Sequence, residues 1–226
     1  MIKAVFFDMN ESILDISVLK KEFNKHFKQE GMMRYWFTKL LHTSTVVGAM
    51  ESYTDFKDLS AYVLEEVFFE NGIKLNEDVK SEILGKFKEL PAYNDVVASL
   101  KFLKENDILT IAVSNSSESM MKKQLENAKI IDFFDSYYSV DIVKRYKPFP
   151  EIYQYVANEI KLKPCEICMV ATHDWDLFGA GKVGLKTAYI SRKETIYCPY
   201  YEQADYQGND LFKLVNDIVN GNAIKD

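Results

Sequence analysis

The sequence predicts an α/β chain: a doubly wound parallel sheet interrupted, after its first strand, by an all-helical insertion. Three observations predict it. An apolar run, Lys3 to Phe7, ends directly at Asp8. From Asp15 to about Leu90 only helical spacing is found. From Asn94 onward, short β-branched runs alternate with helical segments, the pattern of a parallel sheet covered on both faces.

The run Lys3 to Phe7 is continuously apolar rather than alternating, which suits a strand buried on both faces. In the insertion, Val18, Leu19, Phe23 and Phe27 recur at helical intervals. So do Trp36, Phe37, Leu40 and Leu41, and again Phe56, Leu59, Val63 and Val67. This places a helical unit over residues 15–91 and an α/β unit over 1–14 and 92–226. Val96, Leu100 and Leu103 then mark a helix, Ile108 to Val113 a strand, and Met121 and Leu125 the next helix. Strands follow at Tyr137 to Val140, Glu166 to Ala171 and Thr187 to Ser191. Helices lie between them at Glu151 to Ile160 and Trp175 to Val183, with a last one at Leu211 to Val219.

The composition excludes several classes. Lys+Arg 28 against Asp+Glu 34 gives a net charge of −6, without the basic footprint of a nucleic-acid-binding protein. No uncharged apolar run is long enough to span a membrane, and the opening run is too short for a secretory signal. Three cysteines cannot build a disulfide framework, so a reducing, cytoplasmic setting is expected. Cys165 and Cys168 form one C-x-x-C pair with no second pair, and the segment enters an apolar strand, so it reads as structural. His42 reads as a satisfied structural histidine. An exposed stripe on the insertion would permit a homodimer; periodicity does not separate that from core.

In open parallel sheets, ligands bind beyond the carboxyl ends of the strands. Four polar clusters fall there: Asp8-Met9-Asn10-Glu11-Ser12, Ser114-Asn115, Lys147-Pro148, and Thr172-His173-Asp174-Trp175-Asp176. Convergence would join a carboxylate nucleophile, a hydroxyl, a lysine and a second carboxylate. Each cluster alone has a plainer reading, such as a loop start, a helix cap or a solvated turn. Their order along the chain favours a site.

These residues carry a resemblance. The chain resembles the haloacid dehalogenase superfamily, whose core is Rossmann-like, and within it the type II 2-haloacid dehalogenases. Asp8 with Ser12 matches the superfamily's nucleophile motif, and Ser114-Asn115 the second. Lys147-Pro148 with Tyr153 matches the third in its dehalogenase form, and Trp175-Asp176 before Gly179-Ala180 the fourth. Ser114 and Lys147 are 33 residues apart, and Lys147 and Asp176 are 29 apart, as in the dehalogenases. The helical insertion takes the place of the cap.

The departures from the phosphatase pattern point to displacement at carbon. Asn10 stands where phosphatases carry a proton-donating Asp, and an amide donates no proton to a leaving group. Thr172 stands where they carry a metal-binding Asp, and a hydroxyl is a weak substitute for an anionic oxygen. Halide leaves as an anion and needs neither, so no metal or cofactor is expected.

The resemblance implies that Asp8 displaces halide from a small 2-haloacid and that water hydrolyses the resulting ester. Lys147 keeps Asp8 ionised, and Asp176 positions Lys147 or the water. Ser114, Asn115 and Asn10 lie by the substrate, Ser12 orients Asp8, and Tyr153 supports the charged cluster. The dehalogenases place an Arg after a Trp in the cap; here the pair is Trp36-Phe37, both expected beside the substrate, and either Phe37 lines an apolar halide pocket or the substrate is not a haloacid. His173, where relatives carry Asn, donates to substrate or halide. A Mg-dependent phosphatase and a non-catalytic binding protein remain the alternatives.

Overall fold

The computed structural model describes residues 1–224. Six strands form one parallel sheet in the order β3-β2-β1-β4-β5-β6. They are β1 (Ala4–Phe7), β2 (Leu109–Ser114), β3 (Ser136–Ser139), β4 (Ile167–Ala171), β5 (Lys186–Ile190) and β6 (Tyr206–Gly208). Every residue of β1 and β4 is buried, which explains why both read as unbroken apolar runs. The sheet order reverses between β1 and β4, so a crevice opens where both end. Phe7 lies opposite Ala112 on one side and Val170 on the other. Asp8 therefore leaves the sheet level with Val113 and Ala171, one residue short of Ser114 and Thr172.

Between β1 and β2 the chain is helical. A 3-10 turn, Ile16–Leu19, leads into α1 (Lys20–Asn24), α2 (Met32–Ala49), α3 (Phe56–Glu70) and α4 (Glu77–Phe87), and α5 (Val96–Glu105) then returns to the sheet. Trp36 is fully buried within the insertion. Its ring lies 5.6 Å from Phe23 and 5.6 Å from Phe87, and its Nε1 donates to the Ser60 carbonyl at 3.2 Å. The first predicted stripe differs from expectation. Val18 is exposed and Phe27 lies beyond α1, because the chain forms a 3-10 turn and one short helix instead of a continuous helix. His42 is exposed on α2 and packs into no core.

The remaining helices cover the sheet: α6 (Glu118–Asn127), α7 (Glu151–Glu159), α8 (Asp174–Val183) and α9 (Leu211–Asn220). The sequence reading placed neither α4 nor β6. Cys168 is buried in β4 while Cys165 is exposed in the preceding turn. Burial pushes the Cys168 thiol well above its usual range, so Cys168 has no thiolate character. No helix among the described residues is long and apolar enough to cross a membrane.

Candidate active site

Asp8 is 5% exposed and sits at the crevice with both carboxylate oxygens engaged. Lys147 Nζ donates to Oδ1 at 2.8 Å. The same ammonium donates to Asp176 Oδ2 at 2.6 Å and to the Val113 carbonyl at 3.0 Å. All three of its protons are thereby used. Ser12 Oγ donates to Asp8 Oδ2 at 2.6 Å, and the Thr172 amide donates to Ser12 Oγ at 2.9 Å. The loops after β1 and β4 thus lock each other.

Lys147 is buried, which is tolerable only with both carboxylates present. Its position is fixed from several elements. Asn115 Oδ1 accepts from the Lys147 amide at 2.8 Å. Tyr153, fully buried on α7, donates its hydroxyl to Asp176 Oδ1 and to the Asp176 carbonyl at 3.3 Å. Gly179 on α8 packs directly on Pro148: a Cβ there would stand 2.3 Å from the Pro148 carbonyl oxygen.

The electrostatics follow from this wiring. Burial opposes ionisation of Asp8, but the charge of Lys147 and the His173 hydrogen bond outweigh it and hold the carboxyl well below the usual range. Asp176 moves the other way, because burial, with Asp8 nearby, prevails over Lys147. Lys147 is raised: desolvation works against its charge, and Asp176 and Asp8 overcome it. Asp8 is therefore held ionised, its charge compensated by a buried ammonium.

The other predicted residues divide. Ser114 is buried at the end of β2, and its Oγ accepts from the Ser116 amide at 3.1 Å. Asn10 is tied at both ends: its Nδ2 donates to Ser116 Oγ at 3.1 Å and its Oδ1 accepts from Gln124 at 3.2 Å. Phe37 reaches the site, its ring 6.5 Å from that of His173. Trp36 does not, because its indole is spent in the core of the insertion. His173 stacks on Trp175 at 5.1 Å and places Nδ1 3.1 Å from Asp8 Oδ2.

The sequence reading missed Glu11. Its Oε2 lies 3.0 Å from His173 Nε2, and its Oε1 accepts from Lys193 at 2.9 Å. Its place three residues after Asp8 was the available signal. A cavity of about 390 Å³ opens beside this pair, lined in part by Glu11, Thr172, Lys20, Arg34, Arg192 and Lys193.

The described residues contain no group of three His, Cys, Asp or Glu side chains able to hold a metal ion. The donor set also does not fit a divalent cation. Oδ1 of Asp8 is taken by an ammonium, Oδ2 by two further donors, and the Thr172 amide points at Ser12.

Comparison with known proteins agrees with this geometry. The family model of haloacid dehalogenase-like hydrolases matches residues 2–184. The chain is 31% identical over 193 residues to (S)-2-haloacid dehalogenase 1 of Pseudomonas sp. strain CBS-3, covering 84% of this chain and 85% of that protein. It is 30% identical over 217 residues to (S)-2-haloacid dehalogenase 4A of Burkholderia cepacia, covering 94% and 93%. A crystal structure of a dehalogenase with an intermediate complex superposes with a TM-score of 0.89 at 28% identity, covering 94% of this chain and 95% of that one.

Proposed function

The chain belongs to the haloacid dehalogenase-like hydrolases, and from that premise we propose that it cleaves the carbon–halogen bond of small 2-haloacids through an ester on Asp8. The products are the 2-hydroxyacid and halide. The observation that carries this reading is the state of Asp8: buried, ionised and paired with the Lys147 ammonium at 2.8 Å rather than with a proton donor for a poor leaving group.

Asp8 Oδ1 attacks the α-carbon, and the carbon–halogen electron pair leaves with the halide. Water then attacks Cγ of Asp8 and releases the hydroxyacid. Lys147 keeps Asp8 ionised, and Asp176 with Tyr153 holds Lys147 in place. Ser12 orients the carboxylate. Ser114 and nearby backbone amides hold the substrate carboxylate, and Asn115 anchors the Lys147 backbone. Asn10, with its amide committed to Ser116 and Gln124, supplies no proton, and a halide needs none. Phe37 gives the leaving halide an apolar wall. The helical insertion, residues 15–91, acts as the cap that excludes water. The reading places the enzyme in the cytoplasm, where its three free cysteines stay reduced.

The test is halide release from 2-chloroacetate, 2-chloropropionate and fluoroacetate in EDTA, beside phosphate release from an aryl phosphate with Mg²⁺. Halide release that persists in EDTA, without phosphatase activity, is expected. Folded protein that frees no halide from any short haloacid overturns the reading.

A further inference from the structure

The two oxygens of Asp8 are not equivalent. Oδ1 receives one donor, Lys147. Oδ2 receives two, the Ser12 hydroxyl at 2.6 Å and His173 Nδ1 at 3.1 Å. His173 has a carboxylate on each ring nitrogen, Asp8 on Nδ1 and Glu11 on Nε2 at 3.0 Å. Two acceptors require two N–H donors, so the ring is an imidazolium. Desolvation opposes that charge, but the hydrogen bonds the ring donates to Asp8 and Glu11 prevail and push its pKa up to about 9.

Glu11 is held for this contact. Its φ of 64° is left-handed, a region that non-glycine residues seldom occupy. Lys193 fixes its second oxygen at 2.9 Å. Trp175 stacks on the imidazole and Phe37 stands near it, so the ring is set from four sides.

We propose that His173, positioned by Glu11, is the charged half of an oxyanion site that works when the Asp8 ester is hydrolysed. The inference rests on the reading of Asp8 as the nucleophile. Oδ1, the less encumbered oxygen, takes the substrate carbon, and Oδ2 becomes the ester carbonyl oxygen. The oxygen of water attacks Cγ, and the π pair of the carbonyl moves onto Oδ2. That oxygen, now negative, faces an imidazolium and a hydroxyl already in place. When the carbonyl re-forms, the bond from Cγ to Oδ1 breaks and its pair leaves on the product oxygen. One water proton goes to that oxygen, and the other goes to bulk solvent. One water is consumed, one hydroxyacid and one proton are released, and nothing is oxidised or reduced.

Preorganised donors at the site of developing charge are among the largest single catalytic contributions. In the alkylation step the same two donors meet a carboxylate that is losing charge, so they do not accelerate it. Removing His173 therefore separates the two steps.

The experiment is a rapid-quench time course with 2-chloropropionate, reading halide, hydroxyacid and the mass of the Asp8 peptide separately. With His173→Ala, a halide burst of one per enzyme near the wild-type rate is expected. Hydroxyacid should follow roughly 10²–10³-fold more slowly, with the ester visible on the Asp8 peptide. His173→Asn, a neutral donor, should recover part of the loss. Glu11→Gln should keep the ring but shift the alkaline limb of the hydrolysis profile to lower pH. The charges facing that ring are Asp8 and Glu11, with Lys147 and Lys193 one contact beyond.

If hydroxyacid and halide slow together with no ester, His173 does not serve hydrolysis and the inference is wrong. Should His173→Ala fail to fold, an isosteric Glu11→Gln protein with wild-type hydrolysis and an unmoved alkaline limb also overturns it. Wild-type protein that releases no halide sinks the dehalogenase premise instead, a different result.

Discussion

The charges around Asp8 tie catalysis to stability. His173 has a folded pKa of about 9, above its ordinary 6.5. A raised cation stabilises the fold fully below the unfolded value and loses that contribution as pH rises through the folded one. Asp8 and Glu11 are lowered, burial notwithstanding, chiefly by Lys147 for Asp8 and by His173 for Glu11. Their contributions are present above the ordinary carboxylate values and are lost as pH falls through the lowered ones. Stability should therefore form a plateau that declines on the alkaline side between about pH 6.5 and 9, by roughly 1–3 kcal/mol. Urea midpoints at pH 6, 7.5 and 9 measure it. His173→Asn should flatten that decline. An unchanged slope in the variant would assign it to other groups.

At the scale of elements, the loop that delivers Lys147 depends on α8 having no side chain at Gly179. A methyl there would stand 2.3 Å from the Pro148 carbonyl oxygen and 2.7 Å from Pro148 Cβ. Backbone cannot yield as a flexible side chain would, so Gly179→Ala must move the loop or the helix. The expected cost is about 1–3 kcal/mol of stability, with a larger loss of activity, on the order of 10² in kcat, since Lys147 is displaced from Asp8. Denaturation and steady-state halide release check it together; activity falling no more than stability accounts for would be contrary. Legibility at this scale follows burial. β1 and β4 were readable because both faces are covered, leaving Ala4–Phe7 and Ile167–Ala171 wholly apolar. β6 is three residues paired, among the described residues, only with β5, too short for a periodic signal. α4 buries only Ile83 and Phe87, too sparse a stripe. The meeting of Asp8, Lys147 and Asp176 was foreseeable because each follows a predicted strand. The Glu11–His173–Lys193 chain was not, since it depends on a left-handed backbone at Glu11 and on a partner 182 residues away.

For the molecule as a whole, net charge and local charge oppose each other. At −6 the protein repels an anionic substrate at long range. The cavity beside Glu11 reverses this locally, with Lys20, Arg34, Arg192 and Lys193 on its walls against Glu11 and Asp15. Two of these cations are already committed, Lys193 to Glu11 and Arg192 to Asp95 at 2.6 Å. Lys20 and Arg34 make no ion pair among the described residues, and both are exposed. They are therefore the charges free to draw a carboxylate towards the crevice. Lys20→Gln with Arg34→Gln should lower kcat/KM for a 2-haloacid several-fold at low ionic strength and leave kcat nearly unchanged. The difference should vanish at high salt, where the Debye length falls to about 3 Å at 1 M. Because neither residue touches Asp8, Lys147 or Asp176, a loss that persists at high salt would mean that the cavity contributes direct contacts. An unchanged salt dependence would mean that the substrate enters elsewhere.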